Sequence, residues 1–265
     1  FLVGYMHIPR KRFGQHFLHD QGVIHRIIDS IAPKQEEHLV EIGPGQGALT
    51  FPLLKRVGQL EVVELDRDLI PILQDQAKNL GQLIIYESDV LAFDFASIKK
   101  TEQKLRVVGN LPYNISTPLI FHLLTYASIV SDMIFMLQKE VVERVVALPS
   151  TPAYGRLSVM LQYQLAMEYL ITVPPEAFEP APKVESAYVR CVPHTTLPYI
   201  AKNEALFAKV VLAAFGQRRK TLRNTLKGLL DDAGFATLNI NPQLRAENLS
   251  VAQFVSISNY LVLYN

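Results

Sequence analysis

The chain has 265 residues, of which 49% are hydrophobic and 19% charged, enough apolar content for a core and too orderly a composition for a disordered or acidic-tail protein. Lys+Arg 26 against Asp+Glu 25 leaves a net charge of +1, so bulk charge points to no polyanionic partner, and a single cysteine, Cys191, excludes an internal disulfide and a cysteine-built zinc site. The longest apolar stretch, 119–130, is interrupted by His122 and is too short to cross a bilayer. These features predict a soluble, cytoplasmic protein with no membrane partner. Charge is unevenly spread: residues 1–194 hold 18 basic and 21 acidic residues, whereas residues 195–265 hold 8 and 4. The last quarter is therefore expected to carry a basic patch.

In chain order, short apolar runs rich in Val and Ile fall at 38–42, 60–64, 83–86, 105–109 and 133–137. Amphipathic helical patterns lie between or after them at 48–57, 67–80, 117–127 and 139–148. Strands that are apolar throughout, separated by helices, predict an α/β fold with a parallel sheet covered on both faces. Two further strand-like runs, 169–173 and 186–192, flank a segment with prolines at 174, 175, 180 and 182. That segment cannot be helix or central strand and reads as a stiff loop between antiparallel partners at the end of the sheet. After Pro193 only helical patterns follow, at 204–215, 219–233 and 251–264. The expected organisation is thus a Rossmann-like domain over 1–193 and a small all-helical domain over 194–265.

Val40-Glu41-Ile42-Gly43-Pro44-Gly45-Gln46-Gly47-Ala48 follows the first of these runs and opens a helix. Glycines at the carboxyl end of a strand let backbone approach a ligand closely, where doubly wound sheets bind nucleotides. The spacing Gly43, Gly45, Ala48, with Glu64 downstream, also satisfies the dinucleotide fingerprint, so an NAD-dependent oxidoreductase is a rival reading. Glu64 ends the next strand, where a carboxylate can accept two hydrogen bonds from a ribose diol. Asp89 follows the third, suited either to an adenine amino group or to capping a turn.

The fourth strand ends in Asn110-Leu111-Pro112-Tyr113. This group suits methylation of an exocyclic base amine, a poor nucleophile because its lone pair is conjugated with the ring. The Asn110 side-chain carbonyl and the Leu111 backbone carbonyl can accept the two amine hydrogens and favour a pyramidal nitrogen. Pro112 fixes the turn without a competing N–H. Tyr113 offers a stacking face worth roughly 1–3 kcal/mol per base. The same four residues could form an ordinary turn.

Several stretches resemble the ribosomal RNA adenine N6-dimethyltransferases, most closely the bacterial small-subunit type. They are Gln15-His16-Phe17-Leu18, Glu41–Gly45, Glu64-Leu65-Asp66, Asp89, Asn110–Tyr113, the run from Phe178 to Val184, and Phe215–Leu222. They occur in the family's order from about residue 10 to the C-terminus. His16 stands where many relatives carry Asn. The resemblance implies an S-adenosylmethionine (SAM) enzyme that dimethylates N6 of two adjacent adenosines in a hairpin loop near the 3′ end of 16S rRNA. It also implies, as partner, an immature small (30S) ribosomal subunit, here met by a monomer. Carried over residue by residue, it gives His16, Leu18, Gly43, Glu64, Asp89 and Asn110 as cofactor contacts. Asn110, Leu111, Pro112 and Tyr113 would hold the target amine, with Phe178 as a second aromatic. Phe178 can equally be read as a core aromatic anchoring its loop.

For RNA contact the expected residues are Arg10, Lys11 and Arg12 at the start, and Arg218, Arg219, Lys220, Arg223 and Lys227 near the end. In a helix over 219–233, Arg219, Arg223 and Lys227 would share one face while Leu222, Leu226 and Leu229 turn to a core. The plainer alternative is a solvated charged face. His16 and His19 lack a third ligand, so no metal is expected. A catalytically idle RNA-binding assembly factor and a relative acting on large-subunit rRNA complete the rival readings.

Overall fold

The computed structural model describes residues 16–264. Arg10, Lys11 and Arg12 lie outside the described residues. The chain forms two compact units, one from residues up to 142 together with 168–193, the other from 143–167 together with 194 onward.

In the first unit a short strand β1 (Phe17–Leu18) leads into helix α1 (Gln21–Ile31). Asp20 caps that helix, its carboxylate accepting the Val23 N–H at 2.9 Å, and Ala32 closes it in a left-handed conformation. Val23, Ile24, Ile27, Ile28 and Ile31 recur on one face and are buried. Each such side chain contributes about 1.5–3 kcal/mol by leaving water, so this helix is held by its apolar stripe.

There follow β2 (Leu39–Ile42), α2 (Thr50–Val57), β3 (Gln59–Glu64), α3 (Ile70–Ala77), β4 (Gln82–Glu87), β5 (Leu105–Asn110), α4 (Ser116–Leu124), β6 (Val130–Gln138) and α5 (Lys139–Val145). Next come α6 (Arg156–Gln162), β7 (Leu165–Val173), β8 (Phe178–Glu179) and β9 (Ser186–Pro193). A seven-stranded sheet runs in the order β4-β3-β2-β5-β6-β9-β7, and helices cover both its faces. The pairs β4–β3, β3–β2, β2–β5 and β5–β6 are parallel, while β9 runs antiparallel to β6. β2 is buried along its whole length, and β5 and β6 nearly so, which is why these runs are apolar rather than alternating. The two strands flanking the proline-rich loop are neighbours at one edge, as expected. That loop also supplies β8, which pairs antiparallel with β1, Leu18 opposite Phe178.

The second unit contains α6 and, after residue 193, α7 (Glu204–Phe215), α8 (Leu222–Thr225), α9 (Asp232–Thr237) and α10 (Val251–Tyr264). Phe207, Val210, Leu222, Leu226, Phe235 and Phe254 form its core, joined by Tyr154, Val159 and Tyr163. Those last three explain why this unit differs from the expected 194–265. The stretch 143–167 carries its own helix, whose apolar side chains complete the helical core rather than covering the sheet.

Other expectations shift as well. Helix α1 was not among the expected elements, and α3 is shorter than 67–80 because the chain turns through 67–69 before Pro71 enters the first helical turn. The single helix expected over 219–233 is two short ones. Gly228, at φ +83°, takes the chain out of helical geometry, and Asp231 starts afresh by accepting the Gly234 N–H at 2.8 Å.

Candidate active site

The strand order reverses between β2 and β5: from β2 the chain moves outward to β3 and β4, then returns to β5 on the other side. The carboxyl ends of two parallel strands diverge there, and a crevice opens. Register brings Ile42 beside Gly109, so the glycine loop and the Asn110 turn leave the sheet side by side. Gly109 is required at this point, because a Cβ would lie 2.6 Å from the Ile42 carbonyl oxygen. Gly43, Gly45 and Gly47 all take positive φ (62°, 57° and 88°), which strains any side chain.

A cavity of about 300 Å³ fills the crevice. His16, Leu18, Gly43, Glu64, Asp89, Asn110, Leu111, Pro112 and Tyr113 all contribute to its wall. Nine positions spread over five segments of sequence are thereby brought to one slot. Phe178 is not among them. It is 1% exposed and packs in the core with Leu18 and Val173, one layer behind the wall. The expected role of a second stacking face is therefore corrected to a support: Phe178 pairs with Leu18 of β1, the strand that directly follows His16.

Glu64, Asp89, Tyr113 and His16 are held by bonds the chain makes to itself. Glu64, 7% exposed, accepts the Asp66 N–H at 2.7 Å on Oε1 and the Gly45 N–H at 3.3 Å on Oε2. The carboxylate is thus oriented while each oxygen keeps capacity for a further donor. Burial raises its pKa, and these backbone donors pull it back only in part. Asp89 caps a turn, its Oδ1 accepting the Leu91 N–H at 3.0 Å to start a 3₁₀ turn over Val90–Ala92, and the residue also lines the cavity. Tyr113 shares a hydrogen bond of 2.8 Å with the Ser186 hydroxyl, and its ring stacks on His16 at 6.3 Å between centroids. His16 in turn bonds the Pro180 carbonyl at 2.7 Å through Nδ1, so the proline-rich loop fixes one side of the mouth. No described residue hydrogen-bonds the Asn110 side-chain amide, which leaves it available to a ligand.

The electrostatic character of the wall was not apparent from spacing. Besides Glu64 and Asp89, Glu41 and Asp66 contribute to it, and among the described residues no Lys or Arg does. Leu65, Val90 and Leu91 add apolar surface between the acidic stations, and Met136 adds more beside Asn110. Adjacent carboxylates with flanking apolar side chains suit a flat, hydroxyl-rich, cationic ligand.

In the second unit, Arg218, Arg219, Lys220, Arg223 and Lys227 are all exposed. The single helical face expected for three of them does not exist. Arg219 and Lys220 sit in the turn before α8, Arg223 pairs with Asp232 at 2.9 Å, and Lys227 follows the helix. Leu222 and Leu226 are buried as expected, and Leu229 is partly so. Among the described residues no cluster of His, Cys, Asp or Glu has the geometry of a metal site, and no helix is long and apolar enough to cross a membrane.

Comparison with known proteins adds identity to this geometry. The chain is 64% identical over 255 residues to ribosomal RNA small subunit methyltransferase A of Methylobacillus flagellatus, covering 96% of this chain and 98% of that one. It is 58% identical over 259 residues to the protein of the same name from Chromohalobacter salexigens, covering 96% and 92%. In fold it is similar to a dimethyladenosine transferase from Plasmodium falciparum, with TM-score 0.74, 24% identity and coverage of 91% and 96%. The 23S rRNA methyltransferase ErmE is comparable, with TM-score 0.73, 21% identity and coverage of 93% and 99%. Residues 6–262 match the family model of ribosomal RNA adenine dimethylases, and the chain belongs to that family.

Proposed function

We propose that this chain is the SAM-dependent enzyme that converts two adjacent adenosines, in a hairpin loop near the 3′ end of 16S rRNA, to N6,N6-dimethyladenosine. One observation carries the reading: Asn110 and Tyr113 stand on the wall of the same cavity as Glu64, Asp89 and the glycine loop, in a chain of the adenine dimethylase family. The residues present fit SAM. Glu64, already oriented by two backbone N–H groups, would take the ribose hydroxyls. Asp89 would accept from the adenine amino group, with His16, Leu18 and Gly43 closing round the remainder. Four carboxylates, with no Lys or Arg among the described lining residues, suit a cation and oppose the pyrophosphate of NAD.

SAM supplies a methyl carbon activated by the positive charge of its sulfonium. The chain's own task is to make adenine N6 receptive. The Asn110 side-chain oxygen and the Leu111 carbonyl accept its two hydrogens, drawing the lone pair out of conjugation. Pro112 holds the turn, and the target base, taken out of its stack, lies against Tyr113. Catalysis then rests on positioning and preorganised acceptors rather than on a covalent nucleophile. Asn110→Ala is expected to lower turnover by about 10²–10³ while SAM still binds.

The substrate particle is the immature small subunit, met in the cytoplasm by a monomer. The exposed basic residues Arg218, Arg219, Lys220, Arg223 and Lys227 would hold its phosphates, and Arg10, Lys11 and Arg12 would add to them. The test is transfer of labelled methyl from SAM to unmethylated small subunits, followed by mapping of the modified nucleotides. Label at N6 of two adjacent adenosines is expected. Binding of the subunit without transfer would overturn the enzymatic reading.

A further inference from the structure

Glu41 sits two residues before the first glycine of the loop, and the reading above counts it only as one of four acids on the wall. It pairs in register with Val62 on β3 and Val108 on β5. Counting two residues on from each partner reaches Glu64 and Asn110, and Asn110 is level with Met136 on β6. Side chains two apart on a strand share a face, so Glu41 lies one step deeper than Glu64 and Asn110, on their face of the sheet. It is 2% exposed and contributes to the cavity wall, and its Oε2 has no hydrogen-bond partner. The hydroxyls of Thr50 on α2 and Tyr188 on β9 are buried near it and are likewise without partners. The charged group facing it from β3 is another acid, Glu64. Asp66, Asp89 and His16 lie elsewhere on the wall.

A carboxylate buried beside a second carboxylate, with no cation among the described residues around it, is unfavourable in its ionised form. From this arrangement we infer that Glu41 is a positioning residue that carries a proton in the ligand-free site and releases it to solvent when a cationic ligand arrives. The inference rests on the assignment of SAM as ligand. Burial pushes the Glu41 carboxyl up to about 8, with Thr50 opposing through a contact too loose for a good hydrogen bond and Glu64 adding to the rise. A cation entering the cavity reverses that balance: the O–H bond breaks, the proton passes to bulk buffer, and the carboxylate left behind faces the ligand's charge. The site then charges itself only when charge is needed.

The experiment is calorimetric titration of the full chain with SAM, in buffers of differing ionisation enthalpy, from pH 6 to pH 9. Heat that varies with buffer reports protons released. The wild-type protein is expected to release a substantial fraction of one proton near neutrality, and its SAM affinity to rise with pH, by at most about tenfold per unit, as one released proton requires. In Glu41→Gln, a near-isostere of the protonated acid, affinity should be weaker and this component of release absent. Equal release in the two proteins would overturn the inference. Thr50→Val supplies a second handle should the Gln variant fold poorly. It removes the group that favours ionisation, so the pH at which release fades should move upward; an unmoved profile would also overturn the inference. SAM heats absent at every pH would count instead against the ligand assignment.

Discussion

The two ends of the central strands treat buried charge in opposite ways. At the amino end, Arg106 is 8% exposed yet engaged on every side. Its Nε donates to Asp132 at 2.8 Å, one terminal nitrogen to Glu37 at 2.7 Å, and the other to Asp132 at 3.0 Å and to the Ile31 carbonyl at 2.8 Å. Arg190 adds a bond to Asp132 at 3.0 Å. Burial alone would lower the Arg106 pKa, but the bonds to Asp132 and Glu37 outweigh it and hold the guanidinium charged. His38 lies 3.1 Å from Glu61 on the same side. There burial raises the Glu61 pKa, yet the His38 bond helps to bring it below the ordinary carboxylate value. At the carboxyl end, Glu41 and Glu64 are just as buried, face each other, and have no cation beside them among the described residues. Paired charge closes a sheet; unpaired charge of one sign leaves it waiting for a ligand.

Breaking the paired end should cost most. Arg106→Ala leaves Asp132 with only its bond to Arg190 and Glu37 without its ion pair, and is expected to destabilise the fold by about 3–5 kcal/mol, read from denaturant unfolding. A loss of similar size, about 3–5 kcal/mol, is expected for Phe178→Ala, which opens a hole behind the cavity wall. The fraction that stays folded should keep its methyl transfer, since Phe178 lines no part of the slot; a folded but inactive variant would return it to the site.

At the unpaired end the sign inverts. Glu41 has a folded pKa of about 8 against an ordinary 4.5. Its contribution is therefore fully present below about pH 4.5 and lost as pH rises through 8. Glu41→Gln removes that loss. It should stabilise the ligand-free protein by roughly 3 kcal/mol at pH 7, little at pH 5 and more at pH 8, read as the gain in Tm at each pH. No gain at pH 8 would show that the carboxyl is paired after all. The smallest effect sharpens the same contrast. Arg190→Gln leaves Asp132 held by Arg106, and with Arg190 partly exposed its loss should cost about 1 kcal/mol or less.

The local code was most legible where each residue's requirement is met by its own strand end. The glycine loop, Glu64, Asp89 and Asn110–Tyr113 each declare a ligand-facing carboxyl end, and five parallel-strand runs declare the sheet. Reading failed where a partner distant in sequence decides the outcome. Phe178 and Tyr113 are both aromatics near turns, yet one is sealed behind β1 and the other lines the cavity. The pairing of Leu18 with Phe178, across 160 positions, makes that choice. The stretch 143–167 was assigned by its neighbours in sequence, whereas its apolar side chains join Phe207 and Phe254 far downstream. The helix expected over 219–233 had a sound apolar period; Gly228 and the Asp231 cap divided it, so the basic residues share no single helical face.

What the amino-acid sequence determined by itself is the alternation of apolar strand and amphipathic helix, and the chemistry of the groups at each strand end. These follow from periodicity, backbone freedom and functional-group type, all of which act over a few residues. Only the tertiary structure decided which of those groups meet, because strand order, register and burial depend on contacts across the whole unit. Glu41 is the clearest case. Its carboxyl is ordinary in the unfolded chain, and it becomes a weak acid only when β3, α2 and β9 close round it and bring no cation with them.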